Sequence, residues 1–203
     1  MKLKPVRTLP ISYTEAGSVS PQNSKDLKPM LLWSILLPLF YLMLLLLVLQ
    51  IPGTKRGTGT FVLDSIGDLL LIFGGVLLVL VLMVVVHEGL HGLVFWFATG
   101  DAPKFEFKWY YASANPGDWY LPRGVFIAAT LMPLLVISTL SLVLLPFVSG
   151  MPRFLLILLA VLNASGAAGD WLVVLRLRKL PADTLIKDSG ARVVFYIPSG
   201  LEL

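Results

Sequence analysis

The chain has 203 residues, of which 57% are hydrophobic and only 14% charged, and its mean hydropathy is +0.84. A water-soluble domain carries far more charge, so this balance excludes an ordinary soluble protein and makes the lipid bilayer the chain's solvent. The absence of cysteine excludes disulfides, thiolate metal sites and cysteine nucleophiles, leaving histidine and carboxylate as the available metal ligands.

The net charge of +4 is not a nucleic-acid signature. The basic residues stand at the ends of apolar runs and form no stripe with interleaved aromatics, so no nucleic-acid partner is expected. Residues 1–29 are polar and contain Pro5, Pro10, Pro21 and Pro29. No apolar stretch begins early enough for a cleaved signal peptide, and this N-terminal tail reads as flexible or surface-bound.

Four apolar segments follow, at about Met30 to Ile51, Asp68 to Ala98, Val125 to Val148 and Phe154 to Leu175. Each is long enough to cross a bilayer. The link Pro52 to Thr60 is rich in Gly and Thr, and Gly150, Met151 and Pro152 read as a tight turn between the last two segments. The Lys and Arg residues divide thirteen to three between the two sides, the smaller set being Lys55, Arg56 and Arg153. The positive-inside rule therefore puts both termini in the cytoplasm, with the protein in the cell membrane.

Between the second and third segments, Lys104-Phe105-Glu106-Phe107-Lys108 alternates polar and apolar residues and then meets Trp109, Tyr110 and Tyr111. With Ala114 to Asp118 as a turn and Trp119-Tyr120-Leu121 as the return strand, this is either a membrane-edge hairpin or an aromatic belt at the interface. Residues 184–198 have a similar shape, with Asp188-Ser189-Gly190 between two apolar runs. The expected fold class is an all-α membrane protein of four transmembrane helices, with a small cytoplasmic β-hairpin between helices two and three. Its expected divisions are a polar cytoplasmic tail over residues 1–29, the transmembrane domain over 30–180, and a second cytoplasmic tail over 181–203.

The only two histidines sit in His87-Glu88-Gly89-Leu90-His91. On a helix, positions four apart share one face at about 6 Å, so both imidazoles can reach one metal ion. Glu88 is turned roughly 100° from His87, where it can flank the metal without ligating it and act as a base on water. Leu69 to Val86, just before His87, carry no charge, and ionisable groups inside a span are costly unless they have partners.

A catalytic zinc commonly takes three protein ligands. The third must here be acidic, and Asp170 is the other acidic residue well inside a segment. Asp68 to His87 and Arg153 to Asp170 are nineteen and seventeen residues, about 28 and 26 Å of helix, so the two sites reach one level. The other reading of Asp170 is a pair with Arg176 or a buried polar contact. Asn163 lies two turns before Asp170 on nearly the same face, where it contacts the metal, a substrate carbonyl or oxyanion, or a neighbouring helix. The run Ala164 to Gly169 is made of small residues, which allow close helix approach.

His87-Glu88-x-x-His91 with Gly92, the Lys104 to Lys108 strand with Tyr111-Ala112, and Asn163 to Asp170 together resemble a bacterial family of small membrane proteins described as "putative zincin peptidases". The likeness covers roughly Val84 to Pro198. More distantly the chain is similar to the site-2 intramembrane metalloproteases, although no proline stands between Asn163 and Asp170 and Trp171 follows the Asp. The resemblance implies Zn2+ on His87, His91 and Asp170 with Glu88 as base. The expected function is a zinc-dependent endopeptidase embedded in the bilayer, acting on membrane-associated polypeptides. The competing class is a non-catalytic metal-binding scaffold or chaperone.

Overall fold

The computed structural model of the chain describes residues 3–51, 64–108 and 111–200. The Gly- and Thr-rich link with Lys55 and Arg56, and the aromatic pair Trp109 and Tyr110, lie outside the described residues. The protein is mostly helical with small antiparallel sheets, and its elements run β1 (Tyr13–Val19), α1 (Ser24–Val48), α2 (Ile66–Thr99), β2 (Lys104–Lys108), β3 (Tyr111–Asn115), β4 (Tyr120–Pro122), α3 (Arg123–Leu144), α4 (Gly150–Gly166), α5 (Ala168–Leu177), β5 (Leu185–Asp188) and β6 (Val193–Pro198).

Local chemistry sets the helix ends. Asn23 Oδ1 accepts from Lys25 N at 3.0 Å ahead of α1, an ordinary use of asparagine before a first turn. Ser65 and Asp68 bond each other's backbone amides at the start of α2, with Asp68 Oδ2 on Ser65 N at 2.9 Å and Ser65 Oγ on Asp68 N at 3.2 Å. This is the reciprocal arrangement of a capping box. At the other end of α2 the chain turns at Gly100, whose φ of +76° falls in the region only glycine enters without strain.

Among the described residues, three helices are long and apolar enough to cross a membrane: α1, α2, and α3 continued through Phe147. The number becomes four if α4 and α5 count as one bent span. The fourth apolar segment is thus two helices rather than the single one expected, and the break falls at Ala167 within its run of small residues. Gly150 to Pro152 are also not a turn. They form the first turn of α4, where a proline's missing N–H costs no intrahelical bond.

The chain divides into two compact units whose boundaries fall inside α1, inside α2, inside α3 and between α4 and α5. In the first, a four-stranded sheet of order β1-β6-β5-β4 carries a core of Val19, Leu121, Ile186 and Phe195, joined by Phe95 of α2, Phe126 and Ala129 of α3, and Leu172, Val173 and Leu177 of α5. In the second, Tyr41 and Leu45 of α1 pack with Leu145, Ala160 and Ala164. The Tyr41 hydroxyl there donates to the Ser138 carbonyl.

Two expectations are corrected in the first unit. The N-terminal segment is not a loose tail, because β1 pairs with β6 and Val6 bridges Tyr120 through bonds of 3.0 and 2.7 Å. One stretch of chain therefore pairs with β6 at one side of the sheet and bridges β4 at the other, leaving β1 itself as the edge strand. The hairpin also differs in its second strand. Lys104 to Lys108 form β2 as expected, but they pair with Tyr111 to Asn115, so Ala114 and Asn115 are strand and not turn. Tyr120 to Pro122 join β5 in the other sheet. The turn chemistry read at Asn115 to Asp118 is present, with Asn115 Oδ1 accepting from Gly117 N at 3.0 Å, yet it connects two sheets instead of closing a hairpin. The strand pair expected at residues 184–198 forms, as β5 and β6.

Candidate metal centre

His87, His91 and Asp170 each offer one ligand atom, and these atoms lie within 4.8 Å of one another. Both histidines are buried, at 6% and 7% exposure. His87 stands one turn before His91 on the unbroken α2, so helix geometry alone sets their juxtaposition. Asp170 enters in the first turn of α5, where the partial positive charge of a helix N-terminus favours a carboxylate. Its Oδ2 is 3.4 Å from His91 Nε2. Tetrahedral zinc with ligand bonds of about 2.0–2.1 Å separates neighbouring ligand atoms by about 3.3 Å, so this edge already has the spacing a zinc ion needs.

The tautomers follow from the partners. His91 Nδ1 lies 2.9 Å from the Ala129 carbonyl, which can only accept, so Nδ1 carries the hydrogen. His87 Nδ1 lies 2.9 Å from Asn163 Oδ1. The orientation of that amide is fixed in turn, because Asn163 Nδ2 faces the Pro133 carbonyl at 3.4 Å, another pure acceptor. Both imidazoles thus donate through Nδ1 and keep the Nε2 lone pair for a metal, the usual division of labour in a histidine ligand. Two such lone pairs and a carboxylate converging on one spot is a donor set that a divalent cation satisfies.

Pro133 explains why the Ala129 carbonyl is free to serve. In a regular helix that carbonyl would accept from the N–H of the residue four positions on, and position 133 is a proline inside α3, which has no N–H. A membrane helix tolerates such a break when a neighbour takes up the released group, and His91 does so here. No sequence pattern tied to the histidines singles out Pro133; only its place in mid-span hints at a use.

Glu88 is not among the grouped ligands. Its Oε2 accepts from Ala114 N of β3 at 2.7 Å, an amide that faces away from β2 and so stays outside the hairpin ladder. Of the residues singled out in sequence, the chain groups His87, His91 and Asp170, with Asn163 on His87 and Glu88 on Ala114. Asn163, read as a contact to metal, substrate or neighbouring helix, is fully buried and has its oxygen on His87 and its nitrogen on Pro133. Arg176, the other partner considered for Asp170, donates to Asp26 at 3.3 Å, and Asp26 is 2% exposed.

A residue not singled out is Asp188, at the end of β5. Burial pushes its carboxyl up to about 7, opposed by the Gly190 N–H and by His91, with the Asp170 and Glu88 carboxylates adding to the rise. Its signal in sequence is only that of a turn, since Asp188 Oδ1 accepts from Gly190 N at 2.8 Å.

The Pro133 arrangement makes a specific forecast. Pro133→Ala restores an N–H that draws the Ala129 carbonyl back into the helix, so zinc affinity measured by competition with a chelator should fall by about 10- to 100-fold, the usual cost of losing such an orienting bond. The metal-free protein should be at least as stable to heat as wild type, since an interior proline costs about 3 kcal/mol. Unchanged zinc affinity would show that the carbonyl does not orient His91.

No curated protein and no solved structure matches the chain. One family model does, over residues 80–185, just over half of the sequence, spanning the C-terminal part of α2, the hairpin, α3, α4 and α5. The chain belongs to the family described as "Putative zincin peptidase".

Proposed function

We propose that the protein is a zinc-dependent endopeptidase embedded in the cell membrane, hydrolysing peptide bonds of membrane-associated polypeptides. The observation that carries this reading is the grouping of one ligand atom each from His87, His91 and Asp170, with Glu88 next to His87 on the same helix. Bound by these three residues, zinc would supply a Lewis acid and lower the pKa of a coordinated water towards about 7. Glu88 takes the proton from the attacking water and returns it to the leaving nitrogen as the peptide bond breaks. Asn163 and the Ala129 carbonyl hold the imidazoles in register through Nδ1. An extended substrate is held by strand addition at the hairpin, whose Ala114 N–H already faces Glu88. A helical substrate unwinds before it can bind in this way.

The same reading takes four spans, with α4 and α5 as one, and both termini in the cytoplasm. Thirteen basic residues on the side of the termini and hairpin against three on the other support it. Because the chain has no cysteine, single cysteines report sidedness cleanly. Arg153→Cys should react with an impermeant maleimide added to intact cells, and Asp183→Cys only after permeabilisation. The reverse pattern would overturn the orientation.

Glu88→Gln separates catalysis from binding. The amide oxygen of Gln can still accept from Ala114 N, so the hairpin contact survives while the basicity is lost. Zinc should remain at wild-type stoichiometry, and with the general-base step worth about 10²- to 10⁴-fold, cells carrying the variant should accumulate the same membrane polypeptides as cells lacking the protein. Wild-type polypeptide levels with zinc retained would favour the scaffold instead.

A further inference from the structure

A set of large apolar side chains beyond the metal centre stays exposed where an aqueous surface would be expected. On the last turns of α2, Leu93, Trp96 and Phe97 are 39%, 52% and 78% exposed, and on β2, Phe105 and Phe107 are 46% and 63% exposed. Trp96 and Phe97 stack with ring centroids 5.8 Å apart, and β2 meets the same stretch of α2. Gly92 lies one turn before Trp96 on the same helix face, and a Cβ added at Gly92 would come within 2.7 Å of Phe105 Cζ and 3.1 Å of Pro103 Cγ. A side chain at position 92 would have to push the Phe105 ring and Pro103 aside, so glycine there favours the close docking of β2 on α2. Phe107 is two residues further and therefore on the same face of the strand as Phe105.

Depth identifies what covers them. Counted from Asp68, the charged residue in the first turn of α2, Gly92 is 24 and Phe97 is 29 residues on, about 36 and 43 Å at 1.5 Å per residue. A bilayer measures about 30 Å across its hydrocarbon and about 40–45 Å with both headgroup layers. With Asp68 in one headgroup layer, Gly92 to Phe97 fall in the other. Aromatic side chains concentrate at that level. A two-stranded hairpin also has outer backbone groups outside its own ladder, which hydrocarbon would not tolerate and the hydrated headgroup layer can satisfy. Lys104 and Lys108 stand exposed at the two ends of β2, Lys104 Nζ at 3.7 Å from Asp118 Oδ2 and Lys108 Nζ over the Tyr111 ring, and such long cationic side chains suit the headgroup level.

We propose that the β2–β3 hairpin and the last turns of α2 form one lipid-facing surface, with Phe105 and Phe107 seated in the headgroup layer of the bilayer. The hairpin that carries the Ala114 amide is thereby a membrane-interface element and not a loop in water. The inference rests on α2 being a span, and it is independent of whether the protein is a protease.

Spin labels on single cysteines test it in lipid nanodiscs, because the chain has no cysteine of its own. The readout is the ratio of collisions with dissolved oxygen to collisions with a water-soluble nickel chelate. Leu78→Cys marks mid-span and Asp183→Cys marks water. Phe107→Cys should give a ratio several-fold above Asp183→Cys and below Leu78→Cys. Phe97→Cys, on the same surface and more exposed, should agree and serves if the first variant folds poorly. A Phe107 ratio equal to that at Asp183, with Leu78 high, would put the hairpin in water and overturn the proposal. A label shielded from both reagents would mean that protein covers this face, which also overturns it. A low ratio at Leu78 would instead remove the span itself.

Discussion

The structure depends on one constraint: a polar side chain that an apolar helix buries must find its partner within the protein, because an unpaired buried polar group is costly. Three such groups, His87, Glu88 and His91, follow a long uncharged run in α2. Each has a partner of a different kind, namely the Asn163 amide, the Ala114 backbone N–H and the Ala129 carbonyl. Much of the architecture around the site can be read as the supply of these partners. Proline in α3 releases a carbonyl, small residues end α4 with a buried asparagine, and a hairpin folds against Gly92 so that β3 reaches Glu88.

The same constraint gives the site its chemistry. Satisfying the Nδ1 atoms points both Nε2 lone pairs to a common place, and the break between α4 and α5 sets Asp170 at a helix start that favours its charge. The pair of half-exposed Arg176 with buried Asp26 leaves Asp170 facing His91. Breaking such a pair at one end would strand a buried carboxylate, which ties α5 to the start of α1 within the first unit.

How much of this was legible in the sequence varies with the range of the interaction. The apolar segments, the alternation of Lys104 to Lys108 and the spacing of His87, Glu88 and His91 are local periodicities, and the structure keeps them. The depth count that brought Asp170 level with the histidines agrees with their grouping, although it crosses the break at Ala167, which a constant rise per residue does not foresee. The second hairpin strand was missed because Ala112, Ser113 and Ala114 have weak strand preference, and the partner that makes them a strand is β2. The N-terminal strand was missed for a similar reason: its pairing with β6 joins residues almost a full chain length apart. The role of Asn163 and of the Ala129 carbonyl depends on tertiary neighbours, and no spacing rule reports those.

The central claim is that His87, His91 and Asp170 form a zinc site through the Nε2 atoms and a carboxylate. X-ray absorption at the zinc edge of the purified, zinc-loaded protein tests it directly. The account predicts one zinc per chain, with two imidazole nitrogens and carboxylate oxygen at about 2.0–2.2 Å and the outer-shell scattering of two histidine rings. A first shell made only of water oxygens, or one with a single imidazole, would contradict it.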